Sequence, residues 1–246
     1  MKNKQIFIHL GFPKTGSTYL QQYIFPEMKE ALFLGKPFNR TIEILESKIL
    51  QLNETQYQQE KKNLINSLEK IFNNSNYKYI LSHEGFLRST RYSSSENPTP
   101  NNIFHTLSRL NEIFSSYCQV NFILVIRKYD DMLRSYLTQF HHKFKFKYNK
   151  DDFLKDLREN EKKNNILRNF YYGEIIKYIE KFKINYKVLI NEDLNNKPEL
   201  FHQQIFNFFD IHIVYKNEII KASRNSSLKK KISILSNQLF DLYKRG

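Results

Sequence analysis

Residues 5–18 read QIFIHLGFPKTGST, a short apolar segment followed directly by a loop rich in glycine, lysine and hydroxyl side chains. The apolar part, 5–10, is β-branched and aromatic, which predicts a buried strand. The loop, 11–18, contains two glycines and a proline, and the residues behind it have apolar side chains at helical spacing until Pro26. A strand, such a loop and a helix in this order are the context of a phosphate-binding loop.

The loop departs from the nucleoside-triphosphatase pattern G-x-x-x-x-G-K-[ST]. Gly11 and Gly16 fit that pattern, but Ser17 stands where the lysine should be. The lysine is Lys14, inside the loop, where its charge meets a different part of a bound anion. Backbone N–H groups at the turn and the helix N-terminus still attract an anion. Because the strand NFILVI is followed by Arg127 rather than by an acidic metal ligand, we expect anion binding without Mg²⁺.

Strand and helix patterns alternate along the chain, which predicts an α/β fold. The expected architecture is a single P-loop-like domain over residues 1–246, with a mostly parallel central sheet, helices on both faces and a helical insertion at about 40–72. Strands are predicted at 5–10, 77–82, 121–126 and 184–190. Helices are predicted at 17–25, 41–72, 103–114, 130–140, 151–182, 198–210 and 227–245.

A second anion site is predicted where the strand 121–126 ends. Ligands of parallel sheets bind beyond the carboxyl ends of the strands, and Arg127 lies there. Asp130 or Asp131 is suited to cap the following helix, and Ser135 comes one helical turn after Asp131. An arginine fork beside a hydroxyl suits a phosphate group.

Together, the loop and the Arg/Ser element resemble those of sulfotransferases that use 3′-phosphoadenosine-5′-phosphosulfate (PAPS). The family's P-K-[ST]-G-[ST]-[ST] loop is matched by Pro13, Lys14, Thr15, Gly16, Ser17 and Thr18. Its R-x-P-x-D-x-x-x-S-x-Y element is matched by Arg127, Asp131, Ser135 and Tyr136, with Tyr129 in place of the proline. Residues 188–211 are similar to the family's strand, Y-E-D-L turn and helix, with Asn191 in place of the tyrosine.

The resemblance implies a role for each matched residue. Lys14 would contact the bridging oxygen of PAPS, and residues 15–18 would hold its 5′-phosphate. Arg127 and Ser135 would hold the 3′-phosphate. The implied reaction moves the sulfuryl group to a hydroxyl of a carbohydrate or small molecule and requires no metal.

Two residues after the second strand are candidates for the base that takes the proton of the acceptor. His83 and Glu84 directly follow YKYILS, on the side from which the phosphate loop emerges. Histidine and glutamate are both common general bases. Members of the family use either type in this region, so the sequence leaves both open.

The net charge of +14 also fits two other classes of protein. A P-loop kinase or another NTP-dependent transferase is one alternative, which Ser17 at the lysine position disfavours. A non-catalytic basic nucleic-acid-binding protein is the other, although the chain has no recognisable nucleic-acid-binding signature. The single cysteine, Cys118, and the lack of a long apolar run predict a cytoplasmic protein without a membrane span.

Two basic segments carry weaker predictions. Residues 141–150 (HHKFKFKYNK) interleave basic and aromatic side chains, which would suit an anionic or sugar acceptor as well as an edge strand or solvated loop. Arg224 and Lys229–Lys231 would close over the nucleotide, by the same resemblance, or form a solvated helix face. The sequence selects no particular acceptor and no oligomeric state.

Overall fold

In the part of the chain that the structure, a computed structural model, describes, five parallel strands form the central sheet. The described residues are 4–12, 14–35, 40–73, 77–87, 103–132, 135 and 172–211. The strands are Gln5–Gly11 (β1), Ala31–Phe33 (β2), Lys78–His83 (β3), Gln119–Ile126 (β4) and Asn185–Ile190 (β5). They lie in the order β2-β3-β1-β4-β5. This confirms the predicted α/β fold with its parallel sheet.

The register of the sheet brings the carboxyl ends of the strands to one edge. Leu10 of β1 lies beside His83 of β3, and Gly11 lies beside Val125 of β4. At the outer pair, Ile126 lies beside Ile190 of β5. Residues that follow these strands therefore lie at the same edge.

Helices and single helical turns join the strands. The described helices are Ser17–Tyr19 (α1), Arg40–Gln51 (α2), Glu54–Ser67 (α3), Glu69–Phe72 (α4), Ile103–Phe114 (α5), Tyr172–Lys181 (α6), Asn191–Asn196 (α7) and Pro198–Phe209 (α8). Helix α1 continues as a π-helical segment, Leu20–Ile24, and a 3₁₀ turn, Phe25–Glu27. A second 3₁₀ turn, Glu84–Leu87, follows β3. Residues 129–132 and 135, behind β4, are also helical.

Both faces of the sheet are covered, as the sequence predicts. Successive side chains of a strand point to opposite faces. Ile6, Ile8 and Leu10 of β1 pack into one core with α2, α3, α5 and α6. Phe7, on the other face, packs with the π-helical segment and α8, where Phe209 stacks on it at a ring-centroid distance of 4.2 Å.

The predicted helical stretch 41–72 is divided into three helices. Asn53 begins α3 with a capping box: its Oδ1 accepts the Gln56 N–H at 2.9 Å, and Gln56 Oε1 accepts the Asn53 N–H at 3.2 Å. The end of α2 is held by the buried Arg109, whose Nη1 donates to the carbonyls of Ile49 and Leu52. Capping at both sides of the break satisfies backbone groups that a continuous helix would pair internally.

The other predicted elements agree with the structure wherever it describes them. All four predicted strands and the helices at 103–114 and 198–210 are present. The short edge strand β2 and the helical turn α7 had not been expected. The predicted helices at 130–140 and 151–182 are described only in part, and the basic helix at 227–245 lies outside the described residues. In the part of the chain that is described, no helix is both long and apolar enough to cross a bilayer.

A buried polar cluster joins β1, β3 and the π-helical segment. His9 is fully buried, and its Nδ1 lies 2.7 Å from Ser82 Oγ, which also accepts a hydrogen bond from Gln21 Nε2 at 3.0 Å. Burial lowers the pKa of His9 to about 3. The imidazole is therefore neutral in the folded protein at any pH well above that value.

We predict that His9 makes the protein sensitive to acid. Between an unfolded pKa of about 6.5 and the folded pKa of about 3, only the unfolded chain takes up a proton, so stability falls as the pH falls. The free energy of unfolding should decrease by about 1.4 kcal/mol per pH unit from this residue. The free energy of unfolding, measured by urea denaturation at pH 6, 5 and 4, should fall less steeply with falling pH in His9→Gln than in wild type. An equal dependence on pH in the two proteins would contradict the prediction.

Candidate active site

The phosphate loop begins in the core and then turns through two residues with positive φ. Phe12 is fully buried, and its ring meets Tyr172 of α6 edge-on at 4.7 Å. Lys14 has φ 67° and Gly16 has φ 84°. The left-handed region disfavours a lysine by about 1 kcal/mol, so contacts around the loop must hold it there. Pro13 lies outside the described residues.

The loop hydroxyls first support the loop itself. Thr15 is buried, and its Oγ1 donates to the Phe12 carbonyl at 2.9 Å. Ser17 is also buried, with its Oγ 3.5 Å from the same carbonyl. Thr18 is exposed. A hydroxyl that donates to Phe12 has no second proton for an anion, so the backbone N–H groups and Lys14 are the donors this loop offers first.

Arg127 lies directly against the phosphate loop. Its Nη1 donates to the Lys14 carbonyl oxygen at 3.1 Å, across the boundary between β4 and β1. The two predicted anion sites are therefore neighbours at one edge of the sheet. Ser135 lies half-buried in the helical segment behind β4.

The backbone around Arg127 is fixed by two side chains that the sequence had not indicated as functional. The Tyr172 hydroxyl donates to the Arg127 carbonyl at 3.1 Å, and the Arg127 N–H lies 3.4 Å from the same hydroxyl. Burial raises the pKa of Tyr172, which keeps the hydroxyl protonated as a donor. Glu192 Oε1, at the start of α7, accepts the Lys128 N–H at 3.0 Å. No motif includes Tyr172, whereas Glu192 belongs to the segment that resembles Y-E-D-L.

His83 is held from both sides of its ring. The Gly85 N–H donates to His83 Nδ1 at 2.8 Å, so that nitrogen carries a lone pair. Nε2 lies 3.0 Å from Glu46 Oε2 of α2. Facing a carboxylate, Nε2 is the protonated nitrogen of this ring. Glu46 was not predicted, because it lies far from His83 in sequence.

Glu84 lies over the end of β1. A Cβ built on Gly11 would be 2.9 Å from Glu84 Cγ and 3.0 Å from Ser17 Oγ. Glycine at position 11 therefore allows the turn after β3 to approach the start of the loop. The Glu84 side chain and Ser17 Oγ both lie near the position that a side chain at residue 11 would occupy.

The sequence identified most of the groups that meet at this edge. The fold brings together Lys14, Gly16, Ser17, Arg127 and Glu84, with His83 beside them. It adds Tyr172, Glu192 and Glu46. Residues 141–150, Arg224 and Lys229–Lys231 lie outside the described residues. Within the described ranges, no group of three or more His, Cys, Asp or Glu side chains is placed to hold a metal ion.

Comparison with known proteins finds a solved structure with a similar fold. A crystal structure of a sulfotransferase from Alicyclobacillus acidocaldarius matches with a TM-score of 0.54 over 87% of this chain and 87% of that chain. The sequence identity is 11%, so the likeness concerns the fold. No protein-family model and no curated protein matches the sequence. The chain thus has a sulfotransferase-like α/β fold.

We predict that Gly16→Ala destabilises the protein by about 1–2 kcal/mol, because alanine disfavours this φ. The added Cβ would also lie 2.9 Å from Asn191 Nδ2. Gly173→Ala in α6 is the matched control: its Cβ meets nothing within 4 Å, and helix propensity favours alanine by about 0.5–1 kcal/mol. Urea denaturation should show a lower free energy of unfolding for Gly16→Ala and a higher one for Gly173→Ala, relative to wild type. Equal changes in the two variants would contradict the requirement for glycine at position 16.

Proposed function

We propose that the protein is a PAPS-dependent sulfotransferase that moves a sulfuryl group to a hydroxyl of a carbohydrate or small-molecule acceptor. The observation that carries the proposal is the contact between the Arg127 guanidinium and the Lys14 carbonyl at the carboxyl edge of a parallel sheet. It supports a site in which Lys14 meets the 5′-phosphosulfate of a nucleotide and Arg127 meets the 3′-phosphate of the same nucleotide. The sulfotransferase-like fold is independent support.

The donor groups at the edge fit a nucleotide with two anionic substituents. Lys14 and Arg127 would contribute positive charge, and the backbone of residues 15–18 would contribute N–H donors at the start of α1. Bound PAPS would supply an activated sulfuryl group and a phosphate leaving group. Lys14 would stabilise the charge that develops on the leaving oxygen, a type of contact worth roughly 3–4 kcal/mol in other enzymes.

The acceptor must lose its proton when its oxygen bonds to sulfur and the sulfur–oxygen bond to the phosphate breaks. We place Glu84 before His83 as the base. The Glu84 side chain lies against Gly11, at the start of the phosphate loop. The ring of His83 is held at both nitrogens, by the Gly85 N–H and by Glu46, which fits a structural role. In this proposal, the proton passes to the Glu84 carboxylate, and His83 holds the turn that carries it.

The two alternative functions have less support. A kinase loop requires a lysine where this chain has Ser17. A nucleic-acid-binding protein would explain the charge of +14 but gives no reason for two predicted anion-binding elements to meet at one sheet edge. Both remain outcomes of the binding experiment below.

A cytoplasmic location is also part of the proposal. We infer this location from Cys118, a free cysteine whose thiol is buried. Burial raises the pKa of this thiol to about 12. A thiol in this state is unreactive, and a single cysteine fits a reducing compartment.

Adenosine 3′,5′-bisphosphate, the product nucleotide, should stabilise the protein in the absence of Mg²⁺. At a hundredfold excess over Kd, the expected gain is about 2.7 kcal/mol. For a chain of this length, the gain corresponds to a rise in Tm of about 5–10 °C. Thermal denaturation with and without the nucleotide measures it.

The same assay separates the alternatives. Stabilisation by ATP with Mg²⁺ but not by the bisphosphate would favour a kinase. Stabilisation by duplex DNA alone would favour the nucleic-acid-binding protein. Either result would overturn the proposed function.

The assignment of the base predicts unequal effects of two substitutions. Glu84→Gln keeps the size of the side chain but removes the proton acceptor, and should lower kcat by about 10²-fold or more. His83→Asn keeps an acceptor for the Gly85 N–H and should lower kcat less. Sulfuryl transfer from labelled PAPS to a panel of hydroxyl acceptors measures both.

Two lysine variants calibrate the transfer assay. Lys14→Ala should lose about 10²-fold or more in kcat. Lys29→Ala removes an exposed lysine just before β2, at the opposite edge of the sheet, and should leave kcat unchanged.

If His83→Asn were the more damaging of the two base variants, the roles of His83 and Glu84 would have to be exchanged.

A further inference from the structure

Four groups form a closed ring of contacts around the phosphate loop. The buried Phe12 packs against the Tyr172 ring at 4.7 Å. The Tyr172 hydroxyl donates to the Arg127 carbonyl, and the Arg127 guanidinium donates to the Lys14 carbonyl. Since Phe12 and Lys14 belong to the same loop, this closed series of contacts begins and ends at the phosphate loop.

The loop needs such support at Lys14. A lysine with φ 67° persists only where neighbouring groups fix the backbone. The Arg127 bond ends on the carbonyl of this same residue. It therefore acts on the peptide unit that joins Lys14 to Thr15.

The backbone that carries Arg127 is itself held by hydrogen bonds. Tyr172 holds its carbonyl, and Glu192 holds the next N–H, that of Lys128. A guanidinium has five N–H donors in a planar fork. One nitrogen can stay on the Lys14 carbonyl while the others face an anion.

We infer that Arg127 is a positioning residue for the phosphate loop as well as a phosphate ligand. It holds the Lys14 backbone, and with it the loop whose residues 15–18 would bind the 5′-phosphate, so the two anion sites are coupled through one side chain. The inference rests on the proposed function for the identity of the ligand, but the effect of Arg127 on the loop is independent of it. A residue that only bound the 3′-phosphate would not influence a ligand lacking that group.

Adenosine 5′-monophosphate is the probe that separates the two roles, because it has no 3′-phosphate. Calorimetric titration should show that Arg127→Ala binds adenosine 5′-monophosphate about tenfold more weakly than wild type, as expected for loss of a charge-assisted hydrogen bond. Arg127→Lys keeps the charge without the fork and should also weaken binding. Tyr172→Phe keeps the ring on Phe12 but frees the Arg127 backbone, and should weaken binding by a smaller factor.

Lys128→Ala is the matched control, since it removes one exposed positive charge next to Arg127 and leaves the Lys14 bond in place. Its affinity for the monophosphate should change less than threefold. An equal loss of affinity in Lys128→Ala and Arg127→Ala would show that the effect comes from net charge alone and would overturn the inference. Unchanged affinity in Arg127→Ala, with weaker binding of the 3′,5′-bisphosphate, would also overturn it.

Hydrogen exchange without nucleotide tests the inference even if the proposed function fails. The Tyr19 and Leu20 N–H groups donate to the Gly16 carbonyl at 2.9 and 3.3 Å. Loss of the Arg127 bond should speed exchange of these amides by about tenfold, while exchange in β4 stays unchanged. Unaltered exchange at both amides in a folded Arg127→Ala protein would overturn the inference. If wild type binds neither nucleotide, only the proposed function is lost.

Discussion

Strand β1 lies between β3 and β4 and pairs with both in parallel register, and the location of the candidate active site depends on this arrangement. Because parallel strands end at the same edge, the loop after β1 meets the residues that follow its two neighbours. Glu84 comes from one side and Arg127 from the other. The absence of a side chain at Gly11 then permits the close approach of Glu84.

Around the candidate site, several polar side chains are buried, while the two cations remain partly exposed. His9 and Gln21 both form a hydrogen bond with Ser82, and Thr15 donates to its own loop. Burial keeps His9 neutral, so the cluster adds no charge beneath the loop. The cations of the site, Lys14 and Arg127, are only half-buried, which lets them meet an anion from solvent.

Much of the fold and of the site could be predicted because local patterns encode them. The apolar runs of β1, β3, β4 and β5 and the loop at 11–18 are visible in the sequence without any knowledge of contacts. The short strand β2 and the break before Asn53 were harder to predict. β2 has only three residues, and the end of α2 depends on Arg109, more than fifty residues away.

The sequence by itself determined the succession along the chain of the four longer strands and most of the helices between them, and the types of residue at the strand ends. Both depend on periodicity and spacing along the chain. The tertiary structure alone decided the partners of those residues. Glu46 reaches His83, Tyr172 reaches Arg127, and Arg127 reaches Lys14, each across a large separation in sequence. Such pairs form only when packing places distant segments side by side, and no local pattern records that distance.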